Sequence, residues 1–341
     1  MSEPTEPLLI HILCLPESAG SALYGMVDVL SATGILWREL TGTGQLPAMI
    51  MTKLISRSRD PFTCANRIPV TPECTFGEVP SPGIVIVPEL WLSPDDAVAD
   101  RYDDVKRWLR NSHDGGAIIY SACSGSVLLA ASGLLDGRNA TSHWGYEDLF
   151  RRHFPAVRFN PAPALCIGDT SGRIVTAGGT TSWHDLAIHI ISRHVSPGEA
   201  LRIAQVYLMK WHAEGQLPYA ALVKRLPHAD GVVRRAEDWL ADNFRDPDPV
   251  AGVVAFCQIP DRSLKRRFRA ATGTTLINYA QNLRIEAAKR LLEESRLAID
   301  EIAVDVGYEN VAFFRRLFKR STGLSPGEYR RMFQPLLSAA N

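Results

Sequence analysis

Two stretches in the last hundred or so residues repeat one pattern, and no other feature limits the fold as tightly. Val253-Val-Ala-Phe-Cys-Gln-Ile-Pro-Asp-Arg-Ser-Leu-Lys-Arg-Arg-Phe268 runs into Arg-Ala-Ala-Thr-Gly273. Ile302-Ala-Val-Asp-Val-Gly-Tyr-Glu-Asn-Val-Ala-Phe-Phe-Arg-Arg-Leu-Phe318 runs into Lys-Arg-Ser-Thr-Gly323. Each reads as a short apolar helix, a tight turn and a second helix with a basic stripe that closes at Thr-Gly, which is helix-turn-helix geometry. In the first unit Leu264 and Phe268 face inward at i, i+4, leaving Arg262, Lys265, Arg266 and Arg269 toward the outer face. In the second, Phe314 and Phe318 are the inward pair, leaving Val311, Arg315, Arg316 and Lys319 toward solvent.

A cationic helix face suits the DNA major groove, because Lys and Arg neutralise phosphates and Arg can address guanine in bidentate fashion. One such helix is ordinarily a solvated surface; two with matching turns and stripes favour the groove. The 341 residues carry 37 basic and 37 acidic side chains, which excludes a uniformly basic nucleic-acid coat but not a local basic surface. Residues 1–227 hold 19 Lys/Arg against 22 Asp/Glu, and residues 228–341 hold 18 against 15. Between the units the spacing predicts a helix over Thr275–Glu294, with Leu276, Ala280, Leu283, Ala287 and Leu291 on its inner face. Its length of roughly 25–30 Å can separate two recognition helices by about one DNA turn, roughly 34 Å.

The first two-thirds alternates strand and helix. Leu8–Leu15, a segment near Ala48–Thr52, Gly83–Pro88, Ala117–Tyr120 and Arg173–Ala177 read as strands. Ser21–Trp37, Asp95–Arg110 (Val98, Tyr102, Val105 and Leu109 inward), Ser124–Ser132 and Trp183–His194 read as helices. Such alternation implies an α/β domain, a mainly parallel sheet with helices on both faces. Ser196 caps a helix with Pro197 at its first position, running to about Trp211. The expected organisation is therefore an α/β domain over 1–214, a linker over 215–230 and an all-α domain with two helix-turn-helix units over 231–341.

Further motifs in the last domain are specific. Arg262-x-Leu-x-Arg-x-Phe268, Leu283-Arg-Ile-Glu-Ala-Ala-Lys-Arg-Leu-Leu292, Ile302-Ala-x-x-x-Gly-Tyr308, Phe314-x-Arg-x-Phe-Lys319 and Gly323-Leu-Ser-Pro-Gly-Glu-Tyr-Arg330 resemble the AraC/XylS-type DNA-binding domain across residues 234–333. The resemblance implies base-contacting positions at Arg262, Lys265 and Arg266 in the first helix, and at Val311, Ala312, Arg315 and Arg316 in the second. Pro260 stands where the family usually has a capping Ser or Thr, and Asp261 beside it is the expected substitute.

In the first domain Cys123 follows a strand and precedes a helix, the geometry of a nucleophile elbow, where a helix N-terminus favours thiolate. With Gly25-Met-Val-Asp-Val-Leu30, Ser132-Gly-Leu-Leu-Asp-Gly-Arg138, Ala140-Thr-Ser-His-Trp144 and Val175-Thr-Ala-Gly-Gly-Thr-Thr-Ser-Trp183, it resembles the class I glutamine amidotransferase-like fold in its ThiJ/PfpI branch, over residues 8–212. Enzymes of that superfamily pair the cysteine with a carboxylate on the first helix. Ala22 stands at that position and Glu17 lies a turn away, so Cys123 and His143 read as vestiges of a catalytic pair. Cys123, His143, Trp144 and Trp183 form a candidate ligand pocket, although a tryptophan such as Trp183 is more often core.

No apolar run reaches the roughly 18 residues of a membrane span. The acidic, Pro-rich start is unlike a secretory leader, and six cysteines without Cys-x-x-Cys read as reduced thiols. His184, His189 and His194 are spaced by five, which does not place two metal ligands on one helical face, and no phosphate-binding glycine motif is present. No metal or cofactor is therefore expected. The reading is a cytoplasmic regulator, not an enzyme, that binds double-stranded promoter DNA. A homodimer, a small-molecule effector and a contact to RNA polymerase are its expected partners. The alternative is a ThiJ/PfpI-type hydrolase or hydratase using Cys123, with an appended DNA-binding domain.

Overall fold

A computed structural model describes residues 6–44, 47–93, 101–223 and 228–338 of the chain. It divides into two compact units, Met1–Gln216 and Leu217–Asn341. The first contains β1 (Leu8–Leu13), α1 (Gly20–Ser31), α2 (Leu36–Thr41), β2 (Ile50–Ser56), β3 (Phe62–Cys64), β4 (Ile68–Val70), β5 (Cys74–Thr75), β6 (Ile84–Val87) and α3 (Asp103–Asp114). It continues through β7 (Ile118–Ala122), α4 (Gly125–Ala131), β8 (Asn139–Ala140), α5 (Glu147–His153), β9 (Arg158–Phe159), β10 (Leu165–Ile167), β11 (Ile174–Ala177), α6 (Trp183–His194) and α7 (Pro197–Val206).

Among the described residues the main sheet has seven strands in the order β10-β11-β7-β6-β1-β2-β5, parallel except for the antiparallel β10–β11 pair. Strand alternation feeds two cores. Ile10, Ile12, Ile84, Ile86, Tyr120 and Val175 point to one face, against α1 and α6. Leu13, Val85, Val87, Ile119 and Ile174 point to the other, against α3, α4 and α5. Both faces are thus covered, as buried parallel strands require.

Several boundaries differ from the sequence expectation. The helix expected over Ser21–Trp37 splits into α1 and α2, with the break at Gly34. Gly34 has φ +82°, and a Cβ there would approach Pro47 O to 2.9 Å, so only glycine fits the turn. The strand near Ala48–Thr52 lies at Ile50–Ser56. The first part of the helix expected at Asp95–Arg110, Val98 included, lies outside the described residues; α3 starts at Asp103 and continues to Asp114. Ser196 does cap α7, accepting from Glu199 N at 3.1 Å with Pro197 at N1, but that helix ends at Val206, short of Trp211.

The second unit contains α8 (Gly231–Asn243), α9 (Pro249–Cys257), α10 (Asp261–Thr272), α11 (Leu276–Glu294), α12 (Ile299–Asp305), α13 (Val311–Thr322) and α14 (Pro326–Ser338). One core gathers Val233, Leu240, Val253, Leu264, Phe268 and Leu276. The other gathers Ile285, Leu292, Ile302, Phe314, Phe318 and Tyr329. Because α11 serves both, its buried stripe is not the expected one. Leu276, Tyr279, Ala280, Arg284, Ile285, Ala288 and Leu292 are buried, whereas Leu283, Ala287 and Leu291 are half-buried.

Much of the stretch expected to be a linker, 215–230, is built into the units. Gly215 and Gln216 belong to the first. In the second, Leu222 N donates to Glu286 Oε1 at 2.7 Å, Asn282 Nδ2 to Leu222 O at 3.0 Å, and Lys289 Nζ to Ala220 O at 2.8 Å. Residues 224–227 lie outside the described residues.

Candidate nucleic-acid interface and elbow site

On α10 the inward pair Leu264 and Phe268 is fully buried, and Arg262, Lys265, Arg266 and Arg269 are exposed. Pro260 occupies the N-cap, and no side chain caps the helix. Asp261 does not take over that role: it lies one position too late, inside the first turn, and its carboxylate receives Lys265 Nζ at 2.8 Å. Half-buried Arg267 donates through Nε and Nη2 to Asp230, at 2.8 and 2.7 Å. Asp230 is also the N-cap of α8, accepting from Val232 N and Val233 N. The Arg267 guanidinium holds its carboxyl down at about 2. Sequence reading missed this tie, since Asp230 and Arg267 are 37 residues apart.

On α13 Phe314 and Phe318 are again fully buried. Asn310 Oδ1 caps the helix by accepting from Phe313 N at 2.9 Å. Ala312, Phe313, Arg315, Arg316 and Lys319 are exposed, while Val311, expected to face solvent, is half-buried against the second core. Its position points toward the Phe314–Phe318 side of the helix, which explains the difference. Arg315 Nη2 pairs with Asp300 at 2.6 Å. Both helices close at a left-handed glycine, Gly273 (φ +75°) and Gly323 (φ +77°). The 19 residues of α11 between the two units measure about 28 Å.

In the first unit a second cluster forms at the carboxyl ends of β1, β6, β7 and β11, where open parallel sheets place their ligand sites. Cys123 follows β7 with φ +49°, a left-handed conformation uncommon outside glycine. Gly125 starts α4 so close to the chain after β6 that a Cβ would stand 2.5 Å from Pro88 O and 2.6 Å from Val87 O. Cys123 Sγ donates to Glu89 Oε1 at 3.6 Å, and Thr180 Oγ1 donates to the same oxygen at 3.2 Å. Glu89 Oε2 is buried and has no hydrogen-bond partner among the described residues.

Burial pushes the Glu89 carboxyl up from the usual carboxylate range. Burial, and after it the charge of Glu89, pushes the Cys123 thiol well up. Desolvation and the neighbouring carboxylate thus oppose the thiolate that a helix N-terminus favours. Glu17 turns elsewhere, accepting from Tyr102 Oη and from Arg101 Nη1 at 3.2 Å, and Ala22 is buried. Glu89 is the carboxylate at the elbow, and nothing in the sequence singled it out.

The remaining pocket candidates separate. His143 Nδ1 accepts from Gly145 N at 2.9 Å, and its ring stacks obliquely on Trp144, with centroids 4.8 Å apart. Trp183 is core: its ring lies over Gly25, where a Cβ would come within 2.5 Å. In its vicinity Asp185 accepts His212 N and bonds His212 Nδ1, both at 2.8 Å. Gln216, also unforeseen, donates through Nε2 to Thr141 Oγ1, Ser142 O and Pro163 O at 3.2, 2.9 and 3.0 Å. Ser142 Oγ in turn donates to Cys123 O at 2.8 Å, so the last residue of the first unit is wired to the elbow.

A helix-turn-helix domain model matches residues 254–332, and a DJ-1/PfpI family model matches residues 26–193. The HTH-type transcriptional regulator GlxA of Rhizobium meliloti is 30% identical over 217 residues, covering 63% of this chain and 66% of that protein. The HTH-type transcriptional regulator CdhR of Pseudomonas aeruginosa is 27% identical over 242 residues, covering 69% of this chain and 68% of that protein. Among solved structures, an AraC family transcriptional regulator from Pseudomonas putida aligns at 16% identity with a TM-score of 0.47, over 59% of this chain and all of that chain. Cys123 and Glu89 fall inside the DJ-1/PfpI match, and α10 to α13 inside the helix-turn-helix match; Gln216 and Asp230 fall outside both.

Proposed function

The chain belongs to the transcription regulators that place a DJ-1/PfpI-type domain ahead of an AraC-type helix-turn-helix domain, and on that premise we propose that it binds promoter DNA sequence-specifically through α10 and α13 under the control of its first unit. The observation that carries this reading is the pair of exposed faces, Arg262/Lys265/Arg266/Arg269 and Ala312/Arg315/Arg316/Lys319, set on matching helices joined by one 19-residue helix. Cationic side chains there would release counterions from phosphates, while the first turns reach base edges.

In this reading the elbow holds a small metabolite beside Cys123, Glu89, His143 and Trp144, without chemistry; the burial of Cys123 and its neighbour Glu89 disfavour the thiolate that a nucleophile needs. The protein works in the cytoplasm as a homodimer, which sets four recognition helices on the operator, and contacts RNA polymerase once bound. Effector binding acts only in so far as it favours one arrangement of the chain over another.

The test uses the full chain and duplexes enriched by it from genomic fragments. Affinity falls steeply with salt, and Arg266→Ala or Arg316→Ala each lowers it about 10–100-fold. Unchanged affinity in both variants would overturn the groove assignment. Cys123→Ala leaves duplex binding intact; a turnover lost with that variant would restore the enzyme reading.

A further inference from the structure

The two recognition helices are built to one plan but carry different chemistry at their tips. Each is 12 residues long, and the buried pairs Leu264/Phe268 and Phe314/Phe318 sit at equal positions. In that register Arg262 corresponds to Ala312, Ser263 to Phe313, Lys265 to Arg315, Arg266 to Arg316 and Arg269 to Lys319. The later positions are cationic in both. The first turn is not: α10 offers a guanidinium, and α13 offers an exposed methyl group and Phe313, 39% exposed with its ring against that of Tyr308, centroids 5.9 Å apart. The Asn310 cap holds that apolar turn in helical form.

The major-groove edge of DNA has one apolar feature, the C5-methyl of thymine, whereas guanine shows two acceptors that suit an arginine. Ala312 and Phe313 have no polar group with which to read an acceptor, and leaving them in water gains nothing. Resting on the DNA-binding reading above, we infer that Ala312 and Phe313 read thymine methyl groups, while Arg262 reads guanine at the equivalent place. The operator is then bipartite: a guanine-bearing segment under α10, and a thymine-bearing segment under α13 in the next major-groove segment, about one helical turn away.

The experiment enriches duplexes from a randomised pool with the full chain, then replaces thymine by deoxyuridine, which lacks only the methyl, in each segment separately. Each replacement under α13 is expected to weaken binding roughly fourfold, the worth of burying one methylene-sized group. Replacement in the guanine-bearing segment has no effect. Ala312→Gln and Phe313→Ser, both at exposed positions, abolish the methyl dependence, and Arg262→Ala relaxes only the guanine preference. Uracil duplexes bound as tightly as their thymine parents overturn the inference, as does a methyl effect that survives both variants. Enrichment of no sequence at all overturns the DNA-binding reading itself, so the two failures are distinguishable.

Discussion

The two helix-turn-helix units agree in their exits and in the spacing of their buried pairs, and differ at their entrances and first turns. Thr272 Oγ1 donates to Phe268 O at 2.8 Å, and Thr322 Oγ1 to Phe318 O at 2.9 Å, just before glycines of nearly the same φ. Their entrances diverge. Gln258 takes a left-handed conformation after α9, and α10 then starts at Pro260 with no side-chain cap. After α12 comes Gly307 (φ +89°), where a Cβ would stand 2.7 Å from Arg245 O, and Asn310 caps α13. Packing tolerates little change in a close-packed core, so it preserves the exits and the inward pair. Tips that meet solvent are free to carry different cap and readout chemistry.

The largest effect that probes this comparison is removal of an inward ring. Phe268→Ala and Phe318→Ala, at equivalent positions, should each destabilise the second unit by about 3–5 kcal/mol in chemical denaturation. The equivalence holds if the two losses agree within about 1 kcal/mol, and a much smaller loss for either would show that its core is not the framework. Next comes the tie that, among the described residues, only the first helix-turn-helix has. Asp230→Ala should cost about 1–2 kcal/mol, combining a lost N-cap with a lost bidentate ion pair.

That tie also carries a pH signature. The Asp230 carboxyl is held down at about 2, below its unfolded value of about 4. Its contribution is therefore complete above about pH 4 and disappears as pH falls toward 2, so wild type and Asp230→Asn should converge in thermal stability over that window. The smallest effect sharpens the contrast between the entrances. Asn310→Ala should lose about 1 kcal/mol, whereas Pro260→Ser should gain up to about 1 kcal/mol by supplying the missing cap. A Pro260→Ser variant no more stable than wild type would mean that α10 does not need one.

Local pattern made much of this molecule legible. The i, i+4 spacing of Leu264/Phe268 and Phe314/Phe318 and the Thr-Gly closures placed α9 to α13, because helix periodicity and backbone limits act over a few residues. The buried strands announced themselves in the same way. Where an element serves more than one neighbour the pattern misled: α11 packs into two cores, so its buried stripe rotates along its length, and Val311 is drawn half inside.

The elbow shows the remaining limit. Strand, turn and helix around Cys123 could be read from adjacent residues. Its chemical state could not, since it depends on Glu89, 34 residues earlier, brought alongside by the pairing of β6 with β7, and on the loss of water around both groups. Gln216 reaches the same site from the far end of the unit in a similar way. Short-range stereochemistry is written residue by residue along the chain, whereas burial and electrostatic neighbours are properties of the folded whole, and at Cys123 both oppose a thiolate.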